Sequence, residues 1–89
     1  MFCAVICRDR PGALQIRLDT RAAHLAYIEA TGIVRMAGPF IEAGQMVGSL
    51  VILECESLAD AQSWAQGDPY RAADLFAAVS VTEWKKVIG

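Results

Sequence analysis

His24 is the only histidine in the chain, and imidazole is the side chain whose unperturbed proton affinity lies near neutrality, so acid–base chemistry is sought there first. On a regular helix Arg17, Arg21 and Ile28 share its flank. Two guanidinium groups beside an imidazole suit an anionic or enolate-like ligand, because charge-assisted hydrogen bonds favour an ionised oxygen. Asp68, immediately before Pro69, is the candidate partner. A carboxylate bonded to the ring would fix its tautomer and steady its charged form. Each residue also has a structural reading: a lone helical histidine as a half-buried packing residue, and Asp-Pro as a pair that ends a helix and starts a turn.

The remaining candidates are contact residues. Ser49 is placed to hydrogen-bond a ligand from a strand, but no G-x-S-x-G elbow surrounds it, which argues against a hydrolase nucleophile. A polar residue among Val47, Val51 and Leu53 also reads as a bulge or edge marker. Gly38-Pro39 reads as a pocket wall or a strand breaker, and Tyr70 as a pocket-closing or packing residue. Trp64 and Trp84 are expected in the core and at an interface. Cys3, Cys7 and Cys55 form no C-x-x-C pair. On a strand Cys3 and Cys7 would stand about 13 Å apart, too far for one metal, and they are read as structural thiols of a reducing compartment. One histidine and no phosphate-binding glycine loop leave no expected metal or cofactor.

These residues need elements to carry them. Phe2 to Arg8 is apolar in both alternate sets and reads as a strand covered on both faces. Ala13 to Thr31 reads as a helix stopped by Gly32, either continuous or restarted at Asp19 or Thr20. Its expected core stripe is Leu18, Ala22, Leu25 and Ile28. Ile33 to Ile41 is a second strand, in which Gly38-Pro39 demands a bulge or an edge position. Val47 to Glu56 is a third strand. Ser57 caps a second helix whose apolar face is Leu58, Ala61, Trp64 and Ala65, and Gly67-Asp68-Pro69 ends it. A short turn at Tyr70 to Asp74 precedes a last strand from about Phe76 to Ile88.

The order βαββαβ predicts an α+β, ferredoxin-like arrangement: a four-stranded antiparallel sheet with two helices on one face. Its 89 residues make one domain, 1–89. Two helices cannot cover two apolar faces. The 55% hydrophobic content therefore points to a homodimer through the uncovered sheet face. A formal charge of −2 carries no basic footprint for nucleic acid. No apolar run approaches the ~20 residues of a membrane span, and no signal peptide is discernible, so a cytoplasmic protein is expected.

Taken in order, Arg17-Leu18, Arg21, His24-Leu25, Ala37-Gly38-Pro39, Gly48-Ser49, Glu56-Ser57-Leu58 with Ala61-Gln62, Asp68-Pro69-Tyr70, Val79-Ser80-Val81 and Lys85-Lys86-Val87 resemble the YciI-like, or YCII-related, family along essentially the whole chain. The resemblance implies a dimeric α+β barrel, in which two ferredoxin-like sheets face each other, and an active site built on a histidine/aspartate pair that falls on His24 and Asp68. It further implies lyase or elimination chemistry on small, ring-derived molecules. The connection Ile41 to Met46 is shorter here than in longer members. The expectation is a small-molecule enzyme of lyase, elimination or isomerase type, with His24 as general acid/base, Asp68 orienting it and Arg21 steadying negative charge. Arg17, Gly38, Pro39, Ser49 and Tyr70 would contact the ligand. The alternative is a non-catalytic dimeric module that binds a small metabolite or assists another enzyme.

Overall fold

The computed structural model describes residues 1–89. Strand β1 (Phe2–Asp9) leads through the Pro11-Gly12 turn into helix α1 (Leu14–Thr31). Strands β2 (Val34–Glu42) and β3 (Gln45–Glu54) form a hairpin, followed by α2 (Leu58–Gly67), the single turn α3 (Pro69–Ala72) and β4 (Phe76–Trp84). The sheet order is β2-β3-β1-β4, with every neighbouring pair antiparallel. This is the α+β, ferredoxin-like βαββαβ architecture expected from the strand and helix order. No helix is long and apolar enough to cross a membrane.

Local chemistry explains most boundaries. Ala43 and Gly44 both have positive φ, 50° and 77°, the combination a two-residue type I′ hairpin turn requires. The turn is therefore tight and β3 begins at Gln45, two residues earlier than the Val47 expected from apolar alternation. Pro39 is accommodated because β2 is an edge strand. Ser57 caps α2 by accepting a hydrogen bond from the Asp60 amide at 3.1 Å. By contrast, α1 is one continuous helix without a side-chain cap, and Gly32 ends it in the left-handed conformation at φ 67°. The last strand stops at Trp84 rather than continuing to Ile88. Trp84 is paired with Phe2, the first residue of β1, so beyond it no strand remains to receive hydrogen bonds.

The core lies between the sheet and α1 and α2. Cys3, Val5 and Cys7 of β1, Val51 and Leu53 of β3, and Ala61, Trp64 and Ala65 of α2 form one buried cluster. Fully burying a side chain such as Leu53 contributes roughly 1.5–3 kcal/mol relative to leaving it exposed. Cys3 and Cys7 are buried thiols, whereas Cys55 is half-buried.

The opposite sheet face has no helix over it, so the chain covers β1 on one side only. It carries Phe2, Ala4 and Ile6 of β1, Leu50 and Ile52 of β3, Met36 of β2 and Trp84 of β4, as the strand registers dictate. Ile6, Leu50 and Trp84 are more than a third exposed and Met36 is 59% exposed. Trp84 packs edge-on against Phe2, with ring centroids 6.2 Å apart.

Candidate active site

Of the expected core stripe Leu18, Ala22, Leu25 and Ile28, only Ile28 packs against the core. Leu18 and Leu25 are 48% and 43% exposed, whereas the buried residues of this helix are Arg17 and His24. Ala13, Arg17, His24, Tyr27 and Thr31 follow the three-and-four spacing of one face, and it is this largely polar set that packs inward. Burying such groups is costly unless every one is partnered. The fold supplies those partners from other elements.

His24 Nδ1 lies 2.8 Å from Asp68 Oδ1, with both side chains buried. Asp68 ends α2 and caps α3, its Oδ1 also accepting from the Tyr70 amide at 3.0 Å. The turn-forming and imidazole-binding readings of Asp68 therefore hold together, and the same carboxylate oxygen serves both. With Nδ1–H donating to the carboxylate, Nε2 is left as the basic nitrogen. Nε2 has no protein partner, yet no buried side-chain nitrogen or oxygen of the chain lacks one; Nε2 is thus the edge of the ring reached from outside.

Arg17 stands two helical turns before His24, about 10.5 Å along the axis. Its Nε and Nη2 donate to the two oxygens of Asp9, each at 2.8 Å, and Nη2 also donates to Ser49 Oγ at 2.9 Å. Burial opposes the charge on Arg17, but the Asp9 carboxylate outweighs it and raises the guanidinium pKa above its ordinary value. Tyr70 joins the two halves. Its ring stacks on His24 with centroids 4.0 Å apart and receives the Arg17 guanidinium 4.8 Å from its centroid. Burial raises the Tyr70 pKa, partly countered by Arg17, so the phenol stays protonated at neutral pH.

These groups border a cleft of about 170 Å³ between α1 and the β2–β3 hairpin. Arg17, Arg21, His24, Gly38, Pro39, Ser49 and Tyr70 all line it, with Met46 and Val51 among the apolar walls. Asp68 lies behind His24 and does not line it. Arg21 is exposed at this cleft without an ion-pair partner. Ser49 is neither a bulge nor an edge marker: β3 is an interior strand, and Ser49 pairs in register with Cys7 and Pro39. Sequence reasoning missed Asp9. Its position at the end of β1, just before Pro11-Gly12 and eight residues before Arg17, is the only signal it leaves in the sequence.

Comparison with known proteins places this geometry in context. YciI of Escherichia coli is 39% identical to the chain over 97 aligned positions, covering 98% of this chain and 99% of its own length. An uncharacterised protein of Haemophilus influenzae is 37% identical with the same coverage. Among solved structures, the 5-chloro-2-hydroxyhydroquinone dehydrochlorinase TftG of Burkholderia phenoliruptrix, in complex with 2,5-dihydroxybenzoquinone, superposes with a TM-score of 0.89. It is 41% identical, and the match covers 96% of this chain and 94% of that one. Residues 1–85 match the model of the YCII-related domain, and with full-length relatives approaching 40% identity the chain belongs to the YCII-related family.

Proposed function

We propose that the cleft is the active site of a small-molecule lyase that eliminates H–X from a hydroxylated ring, with His24 moving the protons and Asp68 orienting it. The observation that carries this reading is the buried 2.8 Å bond between His24 Nδ1 and Asp68 Oδ1, which leaves Nε2 as the free basic edge of a ring lining a cleft. The similarity to a dehydrochlorinase held in complex with a hydroxylated quinone supports the reaction class. At about 170 Å³ the cleft is well below the ~300–1,000 Å³ of pockets that take drug-sized ligands, and it suits a single substituted ring.

The chemistry balances without an oxidant. Nε2 takes a ring-hydroxyl proton, the O–H bonding pair becomes a C=O bond, and the carbon bearing X gains a proton. Loss of a second hydroxyl proton then forms a second C=O while X leaves with the C–X pair. One H⁺ and one X⁻ are released per turnover, and the ring becomes a quinone. Arg21 at the cleft adds positive potential for the developing oxyanion.

Halide release and quinone absorbance, followed with halogenated hydroxyhydroquinones, test the reading. His24→Gln removes the proton-accepting ring nitrogen and is expected to lower turnover about 10²–10⁴-fold. An unchanged rate in that variant would sink it.

We also propose that two copies associate through the open sheet face, because Ile6, Met36, Leu50 and Trp84 form an apolar surface that the chain's own helices leave uncovered. Sedimentation is expected to give a dimer at micromolar concentration and a monomer for Leu50→Asp. A monomeric wild type removes this proposal.

A further inference from the structure

The hydrogen-bond capacity left over around Arg17 points to a more specific property of the cleft. A guanidinium has five N–H donors. Three are directed within the protein: Nε to Asp9 Oδ2, one Nη2 hydrogen to Asp9 Oδ1 and the other to Ser49 Oγ. The two on Nη1 make no hydrogen bond as short as these, although the Tyr70 phenol beside the guanidinium interacts with it, and because no buried side-chain nitrogen goes unpartnered, Nη1 is open to the cleft that Arg17 lines. Ser49 is in the same position. Its oxygen accepts from Arg17, which turns the hydroxyl hydrogen away from the guanidinium, and no protein group accepts that hydrogen.

We propose that Arg17 Nη1 and the Ser49 hydroxyl form a fixed oxyanion subsite, and that the cleft takes its ligand as a ring-borne monoanion whose ionised oxygen sits between them. Asp9 is the positioning residue of this subsite: it touches no ligand but clamps the guanidinium through two 2.8 Å bonds. The inference rests on the lyase reading for the location of the ligand, and assigns its charge and orientation. The ionised groups of the site are Arg17 and Arg21 against Asp9 and Asp68, which cancel while His24 is neutral. One negative charge on the ligand is then matched once His24 has taken up a proton, whereas a dianion would leave a surplus. Tyr70, between the His24 ring and Arg17, keeps the proton-transfer group and the oxyanion subsite about one aromatic ring apart. The ionised oxygen and the transferable proton are therefore at different positions of the substrate ring.

The test compares a singly ionised probe, 4-nitrocatechol near pH 8, where it is a monoanion, with an un-ionised one, hydroquinone, by calorimetric titration of the full-length protein. Wild type is expected to prefer the ionised probe. Ser49→Ala is expected to weaken its binding roughly 10–100-fold, the worth of a hydrogen bond to a charged group, while binding of hydroquinone stays within about threefold. Asp9→Asn is expected to do the same through Arg17; if that variant fails to fold, Ser49→Ala decides alone. A general structural defect would weaken both probes equally and overturn the proposal, as would absence of binding or of an ionised-probe preference in the wild type. Discrimination between the probes without H–X elimination from any halogenated hydroxyhydroquinone would instead refute the lyase reading and support the subsite.

Discussion

Two polar clusters share the inward face of α1, and they differ in whether their hydrogen-bonding capacity is used up. At the C-terminal end, Tyr27 Oη donates to the Trp64 carbonyl at 2.8 Å, Trp64 Nε1 donates to Thr31 Oγ1 at 2.9 Å, and Thr31 Oγ1 donates to the Tyr27 carbonyl at 2.9 Å. That circuit closes on itself. Gly67 permits it, because a Cβ there would sit 2.5 Å from Tyr27 Oη. Toward the N-terminal end, Asp9, Arg17, Ser49, Tyr70, His24 and Asp68 are more deeply set, yet Arg17 Nη1, the Ser49 hydroxyl and His24 Nε2 make no such closing bonds within the protein and border a cleft. A closed network rigidifies; an open one, buried more deeply still, has donors and acceptors held in place for something absent from the chain. The difference, more than the residue types, separates a structural cluster from a site.

The sharpest division of roles comes from exchanging one residue in each cluster. His24→Gln, with its expected 10²–10⁴-fold loss of turnover, should shift the thermal midpoint by no more than about 4–8 °C, the equivalent of about 1 kcal/mol in a domain of this size. A larger shift would mean that the open cluster is structural as well. Thr31→Val should do the reverse. It strands the buried Trp64 indole N–H and is expected to cost about 1–3 kcal/mol in chemical denaturation, with kcat/KM unchanged. A change in kcat/KM there would show that the two clusters are coupled.

The smallest effect expected concerns Cys7, which faces the open cluster from β1. Burial, and then the charges of Asp68 and Asp9, push its thiol from 9.0 up to about 12, against an opposing pull from Arg17. Because the folded value is the higher one, the stability linked to this thiol is complete below the unfolded pKa of 9.0 and is lost as pH rises toward about 12. Denaturation midpoints measured across that window should fall less steeply for Cys7→Ala than for wild type, and parallel profiles would remove Cys7 from the account. At neutral pH the buried thiol should resist alkylation, a useful property beside a site proposed to make electrophilic quinones.

Much of this is legible in the sequence. Alternating apolar residues, Ser57 as a cap and the Gly and Pro positions were enough for the order of elements, because turns and caps are decided by neighbours in the chain. The same local logic failed on α1, where hydrophobicity assigned Leu18, Ala22 and Leu25 to the core. It failed again at the end of β4, where strand length depends on where its partner β1 starts. Asp9 was invisible because nothing in its neighbourhood requires a buried carboxylate.

The sequence by itself determined the βαββαβ order, the family and the presence of one imidazole with Asp68 as a candidate partner. Which face of α1 turns inward was decided by tertiary structure alone. Arg17 and His24 can be buried only because Asp9, Ser49 and Asp68 meet them from residues 8, 32 and 44 positions away. The cost of burying a charge or an imidazole is set by partners in space, and a helical periodicity has no access to them.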